Sequence, residues 1–397
     1  DDKGFTWDIG GHVLHSHYPY FDRMFETVMK GDYFTHQRES WVWMLDRFVP
    51  FPFQNNIHRL PEHALRECMD GLKAISKQKI TPKNFAEWIR ASYGEGIAKH
   101  FLIPYNRKVW AYPLTQMSYQ WVGDRVAPVD VARIEQNIKE KRDDVSWGPN
   151  AVFRYPKRGG TGDIWNRVAK RFSANIQLQK ELVFLDTKKK QVRFADGSKD
   201  SYDLLFSTMP LDFLVPDVQT KLHRSAVTVV GVGLRGHVPE HLKTKCWMYF
   251  PGSEPYFRAT VLSNYSPHNA PIGTWSLMFE IASSITTPLV KDAIEQTLQS
   301  SLIPKGAKIV NVWTMTSEYG YPTPTIDRDQ VVDPILLKLE KQDIYSRGRF
   351  GMWKYEVSNQ DHTFMQGVEW ANSFEMSQRM SANTLSETVC LRMQTRK

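Results

Sequence analysis

The sequence predicts an α/β protein that combines a mainly helical lobe and an antiparallel sheet lobe with a further α/β unit. Three observations support this fold class. The chain has 397 residues, enough for two or three packed lobes but too many for one simple core. Apolar residues recur at three- and four-residue steps between residues 61 and 101, as on an amphipathic helix. From residue 181 onward the apolar period changes to two, the spacing of β-strands.

The helices are predicted from the spacing of apolar side chains. Leu65, Cys68 and Leu72 lie on one face of a first helix, and Phe85 and Ile89 begin a second one. Further helices are predicted over residues 129–141, 164–172, 290–301 and 360–378.

The strands are predicted from alternating apolar residues bounded by turn chemistry, such as the Asp196-Gly197 turn. Residues 4–9 are predicted to form a first strand that ends at Gly10. The other predicted strands cover residues 183–185, 192–194, 202–208, 227–234, 247–250, 257–263, 274–280 and 309–315. Because no internal repeat or low-complexity linker separates the blocks, we expect the lobes to interleave.

Composition excludes several functional classes. The residues are 41% hydrophobic and 24% charged, as in ordinary soluble globular proteins. The net charge of +8 comes from dispersed basic residues without a stripe or recognition motif, so no nucleic-acid partner is expected. No apolar run is long enough for a membrane span. The 3 cysteines are widely spaced and form neither a metal motif nor a disulfide framework, which favours a cytoplasmic location and no metal.

The aromatic content is high, with 13 Trp and 16 Tyr residues. Such amphipathic rings suit the stacking of sugars and bases. An aromatic-rich core would explain the same composition, so this observation leaves both interpretations open.

Two glycine-rich turns are candidates for ligand binding. In Gly10-Gly11-His12 the two glycines would let the backbone pass close to a flat ligand, with His12 above it. Residues 158–163 (RGGTGD) open a predicted helix, where exposed N–H groups suit a phosphate or a close-packed cofactor. Either pattern alone is also common in turns that bind nothing.

Residues 346–362 form the densest candidate segment. Arg347 and Arg349 lie on a glycine-containing turn, and a planar guanidinium makes paired hydrogen bonds to a diphosphate. A structural ion-pair network is the alternative. Residues 206–210 end a predicted strand and stop at Pro210, the kind of strand end at which α/β sheets present ligands. A buried strand that simply stops there explains this second pattern equally well.

Taken together, these segments resemble the UDP-galactopyranose mutases of the eukaryotic, fungal-like type. The resemblance covers about residues 4–380, in order. The runs that carry it are DIGGHV (8–13), YFTHQR (33–38), VPFPFQNN (49–56), PYNRKVW (104–110), WGPN (147–150), RGGTG (158–162), KCWMYFP (245–251), FRAT (257–260), SNYSP (263–267), GYPTPT (320–325) and residues 346–362.

The resemblance implies a site, residue by residue. Two arginines on opposite sides of the diphosphate, Arg125 and Arg258, and a histidine beside the flavin, His12, are the implied catalytic residues. The implied substrate-binding residues are Gln54, Asn106 and Trp110 at the uridine end, Asn150, Trp247 and Tyr265 around the sugar, and Tyr249, Tyr321 and Tyr355 at the phosphates. The implied cofactor-binding residues are Gly10, Gly11, His12, Arg38, Ser40, Gly348, Arg349, Asn359 and Gln360.

The resemblance also implies the chemistry. The enzyme would be a flavin-dependent isomerase that interconverts UDP-galactopyranose and UDP-galactofuranose through a covalent adduct between the sugar and N5 of reduced FAD. The protein would position the substrate and stabilise the charge of the departing diphosphate. NADPH or NADH is the implied reductant. UDP-galactose and UDP-galactofuranose are the expected partners, and a homo-oligomer is compatible with the sequence.

The fold implied by the resemblance is an FAD/NAD(P)-binding Rossmann-like domain, incomplete at its N-terminus, with an inserted helical lobe and an antiparallel β-sheet substrate lobe. The predicted Rossmann-like domain comprises residues 1–40, 157–215 and 340–380. The helical lobe comprises residues 60–145, the sheet lobe residues 41–59, 146–156 and 216–339, and a tail residues 381–397.

The sequence departs from the family pattern in three respects. It contains no GxGxxG fingerprint, and it begins with Asp1 inside its own pattern, so we expect a fragment that would hold FAD poorly or not at all. His15 replaces an expected phenylalanine near the uracil, and Phe51 replaces an expected tyrosine. The connection over residues 266–274 is shorter than in fungal relatives.

Two alternatives stay open on sequence alone. One is a flavin-free homologue that binds UDP-sugars without mutase activity. The other is a different FAD-dependent enzyme, such as an amine-oxidase-like oxidoreductase. The retained arginines and tyrosines argue against the second, because an amine substrate has no use for a cage that suits a diphosphate.

Overall fold

A seven-stranded sheet forms the largest element of the fold. The computed structural model describes residues 1, 3–75, 81–123, 126–145, 151–284 and 291–376. Its strands are β1 (Tyr33–Gln37), β2 (Ser40–Met44), β3 (Arg47–Pro50), β4 (Val152–Pro156), β5 (Leu182–Asp186), β6 (Gln191–Phe194), β7 (Lys199–Ser201), β8 (Leu205–Ser207), β9 (Arg224–Arg235), β10 (Trp247–Tyr249), β11 (Arg258–Thr260), β12 (Thr274–Ser284), β13 (Ile309–Pro322) and β14 (Ile344–Ser346). The strand order in the large sheet is β13-β9-β12-β11-β10-β2-β3.

This sheet is mixed. Strand β10 pairs with β2 in parallel, whereas β2–β3, β9–β12, β9–β13, β10–β11 and β11–β12 are antiparallel pairs. The antiparallel strands predicted around residues 227–234, 274–280 and 309–315 are therefore confirmed, although each is longer than predicted. One face of β9 and β12 carries Val230, Val232, Leu277 and Phe279 into a buried core.

Residues 4–9 were predicted to form a strand, and this prediction is wrong. The segment is extended but lies across a face of the sheet, where it takes no place in the strand ladder. The rings of Phe5 and Trp7 lie directly on Gly233 and Gly231 of β9, where an added Cβ would come within 2.4 and 2.6 Å of ring atoms. The alternating pattern that suggests a strand thus serves to pack aromatic rings on a glycine-lined surface.

The helices are α1 (Pro19–Met29), α2 (Glu62–Ile75), α3 (Phe85–Ile97), α4 (Ile103–Trp110), α5 (Val131–Glu140), α6 (Gly162–Arg171), α7 (Leu211–Leu214), α8 (Lys291–Leu298), α9 (Arg328–Glu340) and α10, which is helical over residues 360–376. The predicted helices at α2, α3, α5, α6, α8 and α10 are confirmed within a few residues. None of the helices in the described ranges is both long and apolar enough to cross a membrane.

Helices α2 and α3 pack closely because glycines line their contact. A Cβ added to Gly96 would lie 2.2 Å from the carbonyl oxygen of Glu67, so only glycine allows this approach. Asn84 caps α3 by accepting a hydrogen bond of 2.9 Å from the backbone N–H of Glu87. Helix α4, which bears Tyr105, Asn106 and Trp110, follows this pair in the chain and contacts β9 and β12 of the large sheet.

Two further sets of strands belong to a smaller α/β unit. Strands β8 and β14 form a parallel pair, and β5, β6 and β7 form a three-stranded antiparallel sheet. Leu211, Val332, Leu336, Ile344 and Trp353 form the core beside the parallel pair. The division of the chain into the three predicted lobes remains a proposal.

Candidate functional site

A cavity of about 410 Å³ lies between the N-terminal extended segment and the face of the large sheet. Its lining comes from residues 7–9 and His12, from the glycine turn before α6, from Glu280 of β12, from Tyr321 and its neighbours in β13, and from Arg349. Both glycine-rich turns singled out in the sequence therefore reach the same cavity.

The Gly10-Gly11-His12 turn is held from both sides of its backbone. The N–H of Gly11 donates to Oε1 of Glu280 at 3.1 Å, and its carbonyl oxygen accepts from Nε1 of Trp247 at 3.0 Å. A Cβ on Gly11 would lie 2.8 Å from Oγ1 of Thr260. Gly10 has φ +104°, a conformation that side chains rarely adopt. The turn thus requires both glycines, the first for its conformation and the second for space.

The second glycine turn is fastened to the first segment through Asp8. This buried carboxylate accepts hydrogen bonds from the hydroxyl of Tyr155 at 2.7 Å and from the backbone N–H and hydroxyl of Thr161 at 3.0 Å each. Burial raises the pKa of Asp8, against the effect of these hydrogen bonds. A Cβ on Gly160 would come within 2.4 Å of the Asp8 carboxylate, so this turn also requires glycine.

Arg258 forms a two-point ion pair with Glu280. Its Nε donates to Oε1 at 2.6 Å and its Nη2 donates to Oε2 at 2.7 Å. Burial disfavours both charges, yet Glu280 raises the pKa of Arg258 and Arg258 lowers the pKa of Glu280. The pair is therefore ionised, with both partners charged beside the cavity.

Four tyrosines cluster around this pair. The rings of Tyr105 and Tyr249 lie 5.4 Å apart, and those of Tyr321 and Tyr355 lie 5.8 Å apart. Burial raises the pKa of Tyr321 to about 12, although Arg258 opposes this, so its hydroxyl stays protonated at neutral pH. The guanidinium of Arg349 lies 4.7 Å from the centre of the Tyr321 ring. Two arginines and several neutral hydroxyls therefore converge, a set of donors that suits a diphosphate.

His12 is neutral at physiological pH. Desolvation by the surrounding protein lowers the pKa of His12 to about 4 although the residue is exposed to the cavity; Glu280 opposes the shift, and Arg258 and Arg349 add to it. Its ring lines the cavity. It can thus offer one donor and one acceptor there, but no positive charge.

The residues expected at the uridine end make hydrogen bonds within the protein. Nε2 of Gln54 donates to the carbonyl of Ala127 at 2.7 Å. Nδ2 of Asn106 donates to the carbonyl of Leu102 at 2.8 Å, and its Oδ1 accepts from Nε1 of Trp110 at 3.2 Å. Any contact of these residues with a ligand would depend on their remaining atoms.

Two of the residues expected around the sugar, Trp247 and Tyr265, are both buried but make different hydrogen bonds. Trp247 is buried, and its indole reaches the Gly11 carbonyl. Tyr265 is fully buried, and its hydroxyl donates a hydrogen bond of 3.4 Å to the carbonyl oxygen of Cys246. Its side chain therefore packs inside the protein. Arg125 and Asn150 lie outside the described residues.

The expected cofactor-binding residues beyond the turn fall into two groups. Arg38 and Ser40 lie at the start of β2, where Ser40 is buried. Gly348, with φ +86°, donates its N–H to Oε1 of Gln366 at 2.8 Å. Asn359 precedes α10, and Oε1 of Gln360 accepts from Nε1 of Trp165 at 2.8 Å, which ties α10 to α6.

Sequence reasoning missed two residues of this site. Glu280 falls inside an apolar strand and belongs to none of the quoted runs. Tyr105 stands beside Asn106 in one such run but was given no role. A charged residue in the middle of an otherwise apolar strand was the signal that could have identified Glu280.

Comparison with known proteins identifies the family. A scan against protein-family models finds no match. A crystal structure of reduced UDP-galactopyranose mutase is 45% identical in sequence and matches with a TM-score of 0.89, covering 93% of this chain and 83% of that chain. The chain belongs to the UDP-galactopyranose mutase family. The predicted family and the predicted class of enzyme, an isomerase, are thereby confirmed.

More distant structures share the mutase fold. A putrescine oxidase variant matches with a TM-score of 0.58 at 12% identity, covering 93% of this chain and 91% of that chain. A fatty acid isomerase from P. acnes matches with a TM-score of 0.60 at 10% identity, covering 94% of this chain and 88% of that chain. At such low identity the likeness shows the fold alone. The predicted fold class, an α/β FAD-binding fold, is confirmed, while the fungal-like subtype stays a prediction.

Proposed function

We propose that this chain is a flavin-dependent mutase that interconverts UDP-galactopyranose and UDP-galactofuranose. The observation that carries the proposal is that His12, Tyr321 and Arg349 line one cavity beside the Arg258–Glu280 ion pair, in a chain 45% identical to a UDP-galactopyranose mutase. A diphosphate is the substrate group that such a donor set suits best. The likeness to putrescine oxidase is one of fold alone.

The residues at the cavity fit a flavin. Gly162 lines the cavity and nothing lies within 4 Å of the position that a Cβ would take there, so a flat ring system could approach this backbone closely. Nε of Arg349 is buried and has no hydrogen-bond partner among the residues that the structure describes. The proposed holders of the cofactor are therefore the Gly10-Gly11-His12 turn and Arg349, together with the expected set Arg38, Ser40, Gly348, Asn359 and Gln360. When bound and reduced by NADPH or NADH, FAD would supply the nucleophilic N5 for the anomeric carbon.

The protein's own residues would stabilise the charge on the diphosphate and position the substrate. Arg258 would stabilise the negative charge that develops on the UDP diphosphate as the anomeric C–O bond breaks, and Arg125 is proposed to act from the opposite side. The hydroxyls of Tyr249, Tyr321 and Tyr355 would donate to phosphate oxygens. Neutral His12 would offer a hydrogen bond beside the reacting centre without adding charge.

The test measures conversion and binding separately. The purified protein is supplied with FAD and dithionite, and the two UDP-sugars are separated by chromatography, while isothermal titration calorimetry measures UDP binding. FAD is kept in excess because the sequence predicts weak retention of the cofactor, and under this condition we expect conversion in wild type and a loss of at least about 100-fold in Arg258→Ala. Binding of UDP without conversion would instead support a flavin-free, UDP-sugar-binding homologue. Unchanged turnover in Arg258→Ala would refute the role of that arginine.

A further inference from the structure

Glu280 is a buried carboxylate that no step of the proposed reaction uses directly. Its side chain is 2% exposed. It lies on β12 directly opposite Arg258 in the antiparallel register with β11. Three donors converge on its two oxygens, namely Nε and Nη2 of Arg258 and the N–H of Gly11. One carboxylate thereby joins the proposed substrate arginine to the glycine turn beside the cavity.

The ion pair restricts what Arg258 can offer a ligand. A guanidinium is planar, so two hydrogen bonds from Nε and Nη2 fix both its plane and its rotation. Within the described part of the chain, Nη1 of Arg258 has no hydrogen-bond partner. The donors that remain for a ligand, the two N–H groups of Nη1 and the second one of Nη2, are thus oriented by the ion pair.

A role in charge alone does not explain this arrangement. A site that needed only positive charge for a diphosphate would leave Arg258 unpaired, because Glu280 offsets that charge. Buried ion pairs also contribute little net stability, since desolvation costs about as much as the attraction gains. The gain that remains is geometric, because the orientation of the arginine is set before the ligand arrives.

We propose that Glu280 is a positioning residue of the mutase site, which holds Arg258 in a single orientation and ties that orientation to the Gly10-Gly11-His12 turn. This inference rests on the proposed function. It requires the carboxylate itself, because a glutamine has one carbonyl oxygen for three converging donors and would turn its own NH2 group toward one of them.

The experiment compares four variants with wild type in turnover and in UDP binding. Glu280→Gln removes the charge at nearly constant size, and Glu280→Asp keeps the charge on a shorter side chain. Arg258→Ala removes the partner, alone and combined with Glu280→Gln. The matched control is Asp212→Asn, which breaks another buried pair, Asp212 with Arg224, whose side chains are 1% and 7% exposed.

In Glu280→Gln we expect kcat to fall about 10- to 100-fold, the effect of misplacing a catalytic group by about 1 Å. UDP should bind at least about threefold more tightly, because a negative charge near the diphosphate has been removed. Glu280→Asp should recover part of the lost kcat. The double variant should be no slower than Arg258→Ala, because both changes act through one guanidinium.

Several results would overturn the inference. In an active wild type, a Glu280→Gln kcat within twofold of normal would do so. So would UDP binding that weakens in step with a loss of stability, as expected for Asp212→Asn, since that indicates a merely structural role. A double variant much slower than Arg258→Ala would show that Glu280 acts independently of the arginine. A wild type that binds UDP and converts nothing would instead overturn the proposed function, and this inference with it.

Discussion

Nε1 of Trp247 donates a hydrogen bond of 3.0 Å to the carbonyl oxygen of Gly11, a residue 236 positions earlier in the chain. Both residues are buried. The bond fastens the N-terminal turn to β10, next to the strand that carries Arg258. Together with the bond from the Gly11 N–H to Glu280, it fixes both backbone polar groups of Gly11.

Replacing Trp247 with phenylalanine should weaken this attachment. The Gly11 carbonyl would lose its buried partner, which costs about 1–3 kcal/mol. Urea denaturation should therefore show a lower midpoint, and the variant should retain less FAD after gel filtration. Trp313→Phe is the matched control, because the Trp313 indole stacks on Trp7 at 6.1 Å and donates to no residue in the described ranges. Equal effects of the two substitutions would contradict the prediction.

Alanine at Gly11 should be poorly tolerated. The new methyl group would lie 2.8 Å from Oγ1 of Thr260 and 3.0 Å from Nε1 of Trp247, both in buried surroundings. Overpacking of this kind costs about 1–3 kcal/mol, and the turn can relieve it only by moving into the cavity. We expect a lower unfolding free energy and weaker binding of FAD, measured by its absorbance and fluorescence. A Gly11→Ala variant with wild-type stability and full flavin content would show that the turn can accommodate the added methyl group.

Alanine at Gly231 should separate the N-terminal segment from the sheet. Its Cβ would meet the Trp7 ring at 2.6 Å, so the ring must move. We expect a loss of about 1–3 kcal/mol in the free energy of unfolding. Gly367→Ala on α10 is the control with the opposite sign, because nothing lies within 4 Å of that position. In a helix this change should add up to about 1 kcal/mol. A Gly231→Ala protein as stable as wild type would contradict the packing described for Trp7.

Asp361 should contribute to acid denaturation. Burial raises the pKa of this carboxyl, but contacts with His362 and His17 outweigh it and lower the pKa from 3.8 to about 2. A carboxyl with a lowered pKa stabilises the fold above its unfolded value, and that stability is lost as the pH falls from about 4 to about 2.

The test compares the acid limb of the stability curve between variants. In Asp361→Asn the unfolding free energy should fall less steeply from pH 4 to pH 2 than in wild type, although the variant is less stable at neutral pH. The exposed Asp217→Asn serves as the control and should keep the wild-type slope. An unchanged slope in Asp361→Asn would assign the acid sensitivity to other groups.

Much of the fold is predictable because its signals are local. The three- and four-residue spacing that identified α2 and α3 shows which side of each helix is buried. That side packs into a hydrophobic core, and the spacing is the same whichever element it packs against. Strands β9 and β12 were also identified from local signals, as short apolar runs, and both of their faces are buried. Helix α9 was missed because Pro334 lies inside it, and residues 4–9 were misassigned because their alternation serves packing across the sheet.

The candidate site also contains both residues that the sequence predicted and residues that it did not. Arg258, Arg349, Tyr249, Tyr321 and His12 were expected from the resemblance to the family. His12, Tyr321 and Arg349 line one cavity, and Arg258 is paired with Glu280, which also lines it. Glu280 was not expected, because a single acidic residue within a strand gives no sign of its partners. Its role depends on strand register, which brings it opposite Arg258, and register is set by the whole sheet.

The family, the fold class and the chemical character of the site follow from the sequence alone, because glycine turns, arginines and tyrosines keep their properties wherever the chain places them. How those groups are used depends on the tertiary structure. It paired Arg258 with Glu280, neutralised His12, and joined Gly11 to Trp247 across most of the chain. These outcomes depend on distance and burial, and both arise only when segments remote in sequence pack together.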